Sequence, residues 1–444
     1  MKSYVPGTVS EREEMLSSIG MKDMYDLYVD IPADMRLAKL DLPEGKSEVE
    51  IRRLFKELAS ETRSDMPIFR GAGAYHHYIP AAVPQLAMRS EFYTAYTPYQ
   101  TEMSQGMLQT IFEYQTMICD LTGMDAANAS VYDGAHACSE VMIAMHNNKR
   151  KAKVLVSAGL HPDYRETMHT YARFQSIELV EVPLKADGRS DLDFVAANCE
   201  GAAGFLCASP NFYGVFEDMP AAAKAAHAFG GLFGAVVNPI SLALVQKPGD
   251  YEADYALGDG QPLGMPLNFG GPYLGFVATK AKLMRTLSGR IIGETKDDEG
   301  NRVYCLTLSA REQHIRREKA ASNICSNQSL CAVIASIYMS FMGPQGLSEV
   351  AEQCLQKAHY LAGGMKKLGV KLRYDSPFFH EFVAEFPVDA EKVNDGLKAK
   401  GYMGGLPLSR VGDADKNAML WCATELNSRE ELDGVLAALK EVLS

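Results

Sequence analysis

The chain has no excess of positive charge, no Cys-x-x-Cys pair and little tryptophan. Its 44 lysines and arginines against 56 aspartates and glutamates leave a net charge of −12. That balance argues against a nucleic-acid partner held through its phosphates, although it leaves room for a local basic patch. The opening residues, MKSYVPGTVSEREEML, lack the apolar core of a signal sequence. No uninterrupted apolar run approaches the roughly 20 residues of a membrane span, so the expectation is a soluble, cytoplasmic chain without membrane attachment. The nine cysteines are scattered and read as reduced thiols rather than a disulfide framework. Phosphate-loop, H-E-x-x-H and G-x-S-x-G motifs are all missing. Gly258, Gly260 and Gly264 only approach the dinucleotide-binding spacing, one residue too long and with no helix behind them. One further absence is local. Between Tyr251 and Thr279 there is neither lysine nor histidine.

That bare interval holds the most conspicuous stretch of the chain, GDGQPLGMPLNFGGPYLG, from Gly258 to Gly275. It follows a short apolar strand, and its glycines and prolines favour a long ordered loop of the kind that approaches a ligand or partner backbone closely. At 444 residues and 47% hydrophobic content the chain is long enough for two or three domains with a large core. The first sixty residues read as helical, with a capping-box pattern at Ser10–Glu13 and an apolar face of Ile51, Leu54, Phe55 and Leu58. Residues 64–100 are aromatic, proline-punctuated and without periodicity, which predicts extended loops. Within them His76 and His77 point to opposite faces and have no third ligand at helical spacing, so no metal site is expected. Tyrosines 93, 96 and 99 suit either a packed interface or a site wall. Met103, Met107, Ile111, Tyr114, Ile118 and Leu121 then mark one buried helical stripe.

From Val131 to Leu257 apolar runs alternate with helical segments, the pattern of a mainly parallel sheet covered on both faces. Ligands in such sheets bind at the carboxyl ends of strands. Asp133–His136, Ser209–Asn211, Asn238–Pro239 and Gly258–Gly275 should therefore surround one crevice. A helix over 280–287, a charged hairpin-like region and the basic run Arg311–Lys319 follow; the last reads as a solvated helix face with internal ion pairing. After the polar loop Ser322–Gln328 come a long helix, a second from Gln345, and a smaller α/β domain whose last helix begins with a capping pattern at Asn427 and Glu430. The expected boundaries are a helical segment over 1–62, a large domain over 63–325 and a small C-terminal α/β domain over 326–444. That order matches the aspartate-aminotransferase-like pyridoxal-phosphate enzymes of fold type I. Such a site needs a lysine, a carboxylate for the pyridine nitrogen, and amides at a helix N-terminus for the phosphate. Only the helix N-terminus, at Asp133–Ala137, is available.

Three long segments carry a more specific signal: YTPYQTEMSQGMLQTIFEYQTMICDLTGMDAANASVYDG, GDGQPLGMPLNFGGPYLGF and REQHIRREKAASNICSNQSL. They closely resemble the alpha subunits of split glycine cleavage P-proteins, glycine dehydrogenase (decarboxylating), over essentially the whole chain. The resemblance implies a chain that lacks the active lysine and works with a beta subunit that binds pyridoxal 5′-phosphate. Gln261 falls at the lysine position and Asn238 at the pyridine-carboxylate position, so no catalytic residue and no covalently held cofactor are expected in this chain. It further implies a reaction completed across the subunit interface, in which glycine loses carbon dioxide and its aminomethyl group passes to the lipoyl arm of the H-protein. The T- and L-proteins would be functional partners, and two alpha with two beta chains the natural assembly. Tyr96, Thr97, Tyr99, Asn323, Ser326 and Asn327 become candidate contacts to the partner's site. Two rival readings are a self-sufficient pyridoxal enzyme using another lysine, and a purely structural partner of the beta subunit. His136 has no assigned role beyond a core or interface histidine.

Overall fold

The structure is a computed structural model that describes residues 7–37 and 40–444. The chain forms two compact units, Met1–Asp65 and Met66–Ser444. In the first, helices α1 (Val9–Ser18) and α2 (Glu48–Ser60) each begin with a reciprocal capping box, Thr8 with Glu11 and Ser47 with Glu50. The first cap therefore lies at Thr8, two residues before the Ser10 suggested by the sequence. The Thr8 hydroxyl and the Glu11 carboxylate satisfy backbone amides that the helix itself leaves open. The apolar face of α2 forms as its periodicity requires, yet Ile51, Leu54, Phe55 and Leu58 are all exposed.

The second unit opens with extended segments and the short helices α3 (Ala82–Ala87) and α4 (Ser90–Tyr93). Helix α5 (Gln105–Thr122) buries Met107, Ile111, Tyr114 and Ile118 as a stripe and ends on Gly123 in the left-handed conformation. Met103 precedes the helix and is exposed, so it leaves the stripe. A regular alternation follows: β1 (Ala126–Ala127), α6 (Gly134–Lys149), β2 (Lys153–Ser157), α7 (Pro162–Gln175) and β3 (Glu178–Val182). It continues through α8 (Leu192–Asn198), β4 (Ala202–Ser209), α9 (Met219–Ala228), β5 (Leu232–Val237), β6 (Tyr255–Asp259) and β7 (Gly275–Thr279). The seven strands form one sheet in the order β1-β7-β6-β5-β4-β2-β3. Its five strands from β6 to β3 run parallel; β7 is antiparallel to β6, and β1, antiparallel to β7, runs in the same direction as the five. Burial on both faces explains why these strands read as continuous apolar runs. In β4, Phe205 and Cys207 join the apolar cluster on one face; Leu206 and Ala208 join that on the other.

Beyond β7, residues Ala281–Thr286 form a 3₁₀ turn instead of the expected α-helix. Strands β8 (Ile291–Lys296) and β9 (Arg302–Thr307) make the charged hairpin. The basic run contains the one-turn helix α10 (Gln313–Arg316), followed by a 3₁₀ turn at Arg317–Lys319. It is not a solvated face throughout, because Glu312 is buried and Arg311 half-buried. Helix α11 (Ser329–Lys367) is two helices joined at Gly343–Pro344, where Gly343 takes φ 61°, ψ −179°. Proline's missing N–H and the glycine's positive φ account for the break. This element corrects the sequence expectation about apolar runs. By length and composition alone this helix is long and apolar enough to cross a membrane. Tyr338, Ala332 and Ala335 of that helix lie instead in the core beneath the sheet.

A four-stranded antiparallel sheet ends the chain, with β10 (Lys371–Leu372), β11 (Glu381–Glu385), β12 (Leu406–Pro407) and β13 (Ala418–Cys422) in the order β10-β11-β13-β12. Helices α12 (Ala390–Ala399) and α13 (Arg429–Leu443) supply Val393, Leu397, Leu432 and Val435 to the core that encloses Trp421. The α13 capping box is Ser428 with Glu431, one residue later than the pair read from the sequence. In the wall of this domain the Arg373 guanidinium bonds Glu385, Asp413 and Asp415.

Candidate functional site

The carboxyl ends of β4, β5 and β6 open on a cavity of about 70 Å³, lined among others by Asn211, Asn238, Pro239, Gly258 and Asp259. Of the segments expected around one crevice, parts of Ser209–Asn211, Asn238–Pro239 and Gly258–Gly275 line this cavity, whereas Asp133–His136 does not. The structure adds residues that the sequence reading missed: Gly73, Tyr75, His161 and Tyr164 also line it. By contrast, the far part of the glycine-rich loop turns outward, with Phe269 97% exposed.

Strand β6 delivers Asp259 to the N-terminus of α6. Its carboxylate accepts from the amides of Gly134 (3.0 Å), Gln261 (2.9 Å) and Leu274 (3.4 Å). Burial pushes its pKa up to about 6 against the pull of those three amides. Asp133, the N-cap of α6, accepts from His136 N at 2.8 Å and also bonds His136 Nδ1 at 2.9 Å. This assigns His136: it braces the cap, and the cap in turn raises its pKa. Tyr164 closes over the same turn, since a methyl group at Gly134 would overlap its hydroxyl. Two protein carboxylates and a phenol thus take the place that a helix N-terminus offers to a phosphate.

Gln261 is 0% exposed and fully engaged. Its Oε1 accepts from Tyr75 N at 2.9 Å, and its Nε2 donates to Tyr75 O at 2.9 Å and Met265 O at 2.8 Å. The Tyr75 hydroxyl donates to Glu381 at 2.7 Å, and Glu381 also accepts from Ala72 N at 2.6 Å. His161 Nε2 donates to Ala72 O at 2.9 Å while Nδ1 accepts from Asp163 N at 3.1 Å, which sets the tautomer. Burial holds this imidazole below its ordinary pKa. Segment 72–75 is thereby clasped at three points. The Asn238 side chain is turned back on its own loop, accepting from Ile240 N at 2.9 Å and Ser241 N at 3.3 Å. A pyridoxal phosphate would find no lysine, no free carboxylate for its ring nitrogen and no open amide cradle for its phosphate. The residues present do not fit that group.

Burial raises the Glu381 pKa to about 7. A carboxyl whose folded pKa exceeds its unfolded value binds more protons when folded, so its contribution to stability falls as pH rises between about 4.5 and 7. Glu381→Gln removes that dependence. The expected outcome is a variant whose stability relative to the native chain improves by a few kcal/mol between pH 4.5 and 8, in urea titrations at each pH. A pH-independent difference would contradict the buried-acid account.

The candidate partner contacts form two exposed segments. Tyr96 and Tyr99 are exposed and Thr97 half-buried, while Asn323 and Ser326 are exposed and Asn327 half-buried. Tyr99 is anchored by Arg290, whose Nη2 donates to its hydroxyl at 2.6 Å. The Asn327 side chain accepts from the Ser329 hydroxyl at 2.6 Å, just before α11. Elsewhere the structure gives His77 the neighbours that its sequence surroundings did not suggest. His77, Cys354 and Glu425 come together with ligand atoms within 4.8 Å of one another, a set that could geometrically hold a metal. They come from three distant parts of the chain, so spacing carried no signal. The Glu425 carboxylate bonds His77 Nδ1 (2.8 Å), Tyr78 N (2.6 Å) and Cys354 Sγ (3.2 Å), and burial holds the thiol protonated.

Comparison of the whole fold defines the class first. Glutamate decarboxylase from Lactobacillus brevis (TM-score 0.69, 14% identity, 92% of this chain and 95% of that one) shares this architecture. The chain has the fold of the type I pyridoxal-phosphate enzymes. The family described as Glycine cleavage system P-protein matches residues 2–439. A relative from Moorella thermoacetica, named “Probable glycine dehydrogenase (decarboxylating) subunit 1”, is 50% identical over 100% of both chains. The Bacillus subtilis chain of the same name is 44% identical over 98% of each. A crystal structure of glycine decarboxylase (P-protein) of the glycine cleavage system in inhibitor-bound form superimposes with a TM-score of 0.93, at 42% identity and full coverage of both chains. The chain belongs to the glycine cleavage system P-protein family.

Proposed function

We propose that this chain is the non-cofactor half of a two-chain glycine dehydrogenase (decarboxylating), the alpha subunit of a split P-protein. The observation that carries this reading is Gln261, buried and triply bonded, at the position that the resemblance assigns to a cofactor lysine. Subunit 2, the beta chain, would then hold pyridoxal 5′-phosphate, which supplies the electron sink for loss of carbon dioxide from glycine. The contribution of this chain is to position and enclose. Tyr96, Thr97 and Tyr99 with Asn323, Ser326 and Asn327 offer hydroxyls and amides from exposed segments to the neighbouring site. In this reading the aminomethyl group passes to the lipoyl arm of the H-protein, with the T- and L-proteins acting downstream in the cytoplasm. Two alpha and two beta chains are the proposed assembly.

The test is glycine–bicarbonate exchange by the co-expressed pair. Tyr96→Phe and Ser326→Ala are each expected to assemble normally and lose about 10- to 100-fold in exchange, the effect of one hydrogen bond to a charged group. Full exchange in both variants would favour the alternative, a purely structural partner of the beta subunit.

A further inference from the structure

A second cavity, of about 240 Å³, lies between α6, the turn before β8 and the segment around α10. It shares no lining residue with the crevice at the strand ends. Its wall carries Arg285, Arg290, Arg311, Glu312 and Glu140, with Arg285 exposed. Arg290 is 2% exposed; its Nη2 donates to the Tyr99 hydroxyl and its guanidinium lies over the Tyr99 ring, 5.0 Å from the centroid. Among the described residues its Nε and Nη1 have no hydrogen-bond partner, and neither has Arg311 Nε. Arg311 Nη2 donates to Gly289 O at 2.7 Å. The acidic side of the cavity does not balance these two guanidiniums. Glu312 stands 3.8 Å from Arg290 Nε, a Coulombic pair beyond hydrogen-bond distance, and is also shared with His314 at 3.6 Å. Glu140 accepts from the Ser322 hydroxyl, and burial lifts its pKa to about 7, so much of it is neutral near neutrality. With the exposed Arg285 also on the wall, three permanent cations line the cavity, and three buried guanidinium nitrogens, Arg290 Nε and Nη1 and Arg311 Nε, lack hydrogen-bond partners among the described residues. Leaving buried donors of a charged group unpaired is costly, and the guanidinium fork matches a planar or tetrahedral oxyanion.

We propose that Arg290 and Arg311 form a binding site for a small oxyanion, a phosphate or a carboxylate, in this cavity. The assignment rests on the arginines and does not depend on which loop residues reach the partner's site. The oxyanion has two possible sources, a free ion or an acidic side chain inserted by the beta chain. Calorimetric titration of inorganic phosphate into the full chain, alone and co-purified with the beta chain, separates them. The chain alone is expected to show one saturable site, weakened at least 10-fold by Arg290→Gln or Arg311→Gln and unchanged by Arg302→Gln on the exposed hairpin. Arg290→Lys keeps the charge, loses the fork and is expected to fall between; it also serves should Arg290→Gln fail to fold. Retention of the site in the pair identifies a free ion, and its disappearance identifies a partner carboxylate. Absence of saturable binding to the chain alone, or binding indifferent to Arg290 and Arg311, overturns the proposal.

Discussion

Gln261→Lys is expected to destabilise the chain by about 3 kcal/mol or more and to create no pyridoxal-binding protein. The glutamine amide is both donor and acceptor, linking Tyr75 N, Tyr75 O and Met265 O. Lysine offers donors only, so Tyr75 N is left unpaired, and its ammonium enters a site with no exposure to water. The rest of the crevice does not answer the new amine. Asp259 and Asp133 remain on the α6 amides, and Asn238 stays neutral and turned toward Ile240. Urea denaturation gives the loss of stability. Incubation with pyridoxal phosphate, borohydride treatment and intact-mass measurement give the cofactor result. A stoichiometric lysine-linked adduct on Q261K, with stability unchanged, would mean that the crevice is a cofactor pocket lacking one residue rather than a closed one. The same adduct on the native chain would restore the rival reading of a self-sufficient enzyme.

The second large effect is expected at Glu425. Its carboxylate gathers His77, Tyr78 N and Cys354 and so ties the segment after Tyr75 to α11 and the small sheet. Glu425→Ala leaves the buried His77 imidazole and the Tyr78 amide without their acceptor, which costs about 3–5 kcal/mol. The linkage gives an independent signature. Burial raises the Glu425 pKa, but the hydrogen bond and charge of His77 outweigh it and hold the carboxyl below its ordinary 4.5. A depressed folded pKa contributes stability that is present above the unfolded value and lost as pH falls below it. The gap between native and variant should therefore be full at pH 7 and shrink progressively below about pH 4.5. A chelator is expected to leave the native chain's stability unchanged, because hydrogen bonds to a protonated thiol link the three side chains. A marked loss on chelation would assign His77, Cys354 and Glu425 to a bound metal.

Most of the architecture was legible because it is local. Continuous apolar runs separated by amphipathic segments locate β2 through β6, and Gly343–Pro344 divides α11 where glycine and proline chemistry says it should. The errors are also local in kind. Ser10 and Asn427 look like N-caps, but Thr8 and Ser428 take that role, since a cap is settled by which hydroxyl reaches an open amide. Arg311 and Glu312 sit in a charged run that reads as solvated, and tertiary packing draws them against a cavity instead.

The absence of lysine and histidine between Tyr251 and Thr279 was determined by the sequence alone, because an absent residue type needs no coordinates. What only the tertiary structure decided is the state of the space left behind. Tyr75 is far upstream of Gln261, and Glu381 far downstream, so no spacing rule joins them. Chain folding brings their polar groups into a region without water, where each must find a partner. Those pairings clasp segment 72–75 across the crevice, and the guanidinium nitrogens of Arg290 and Arg311 that lack hydrogen-bond partners mark where the described residues leave a polar demand unmet.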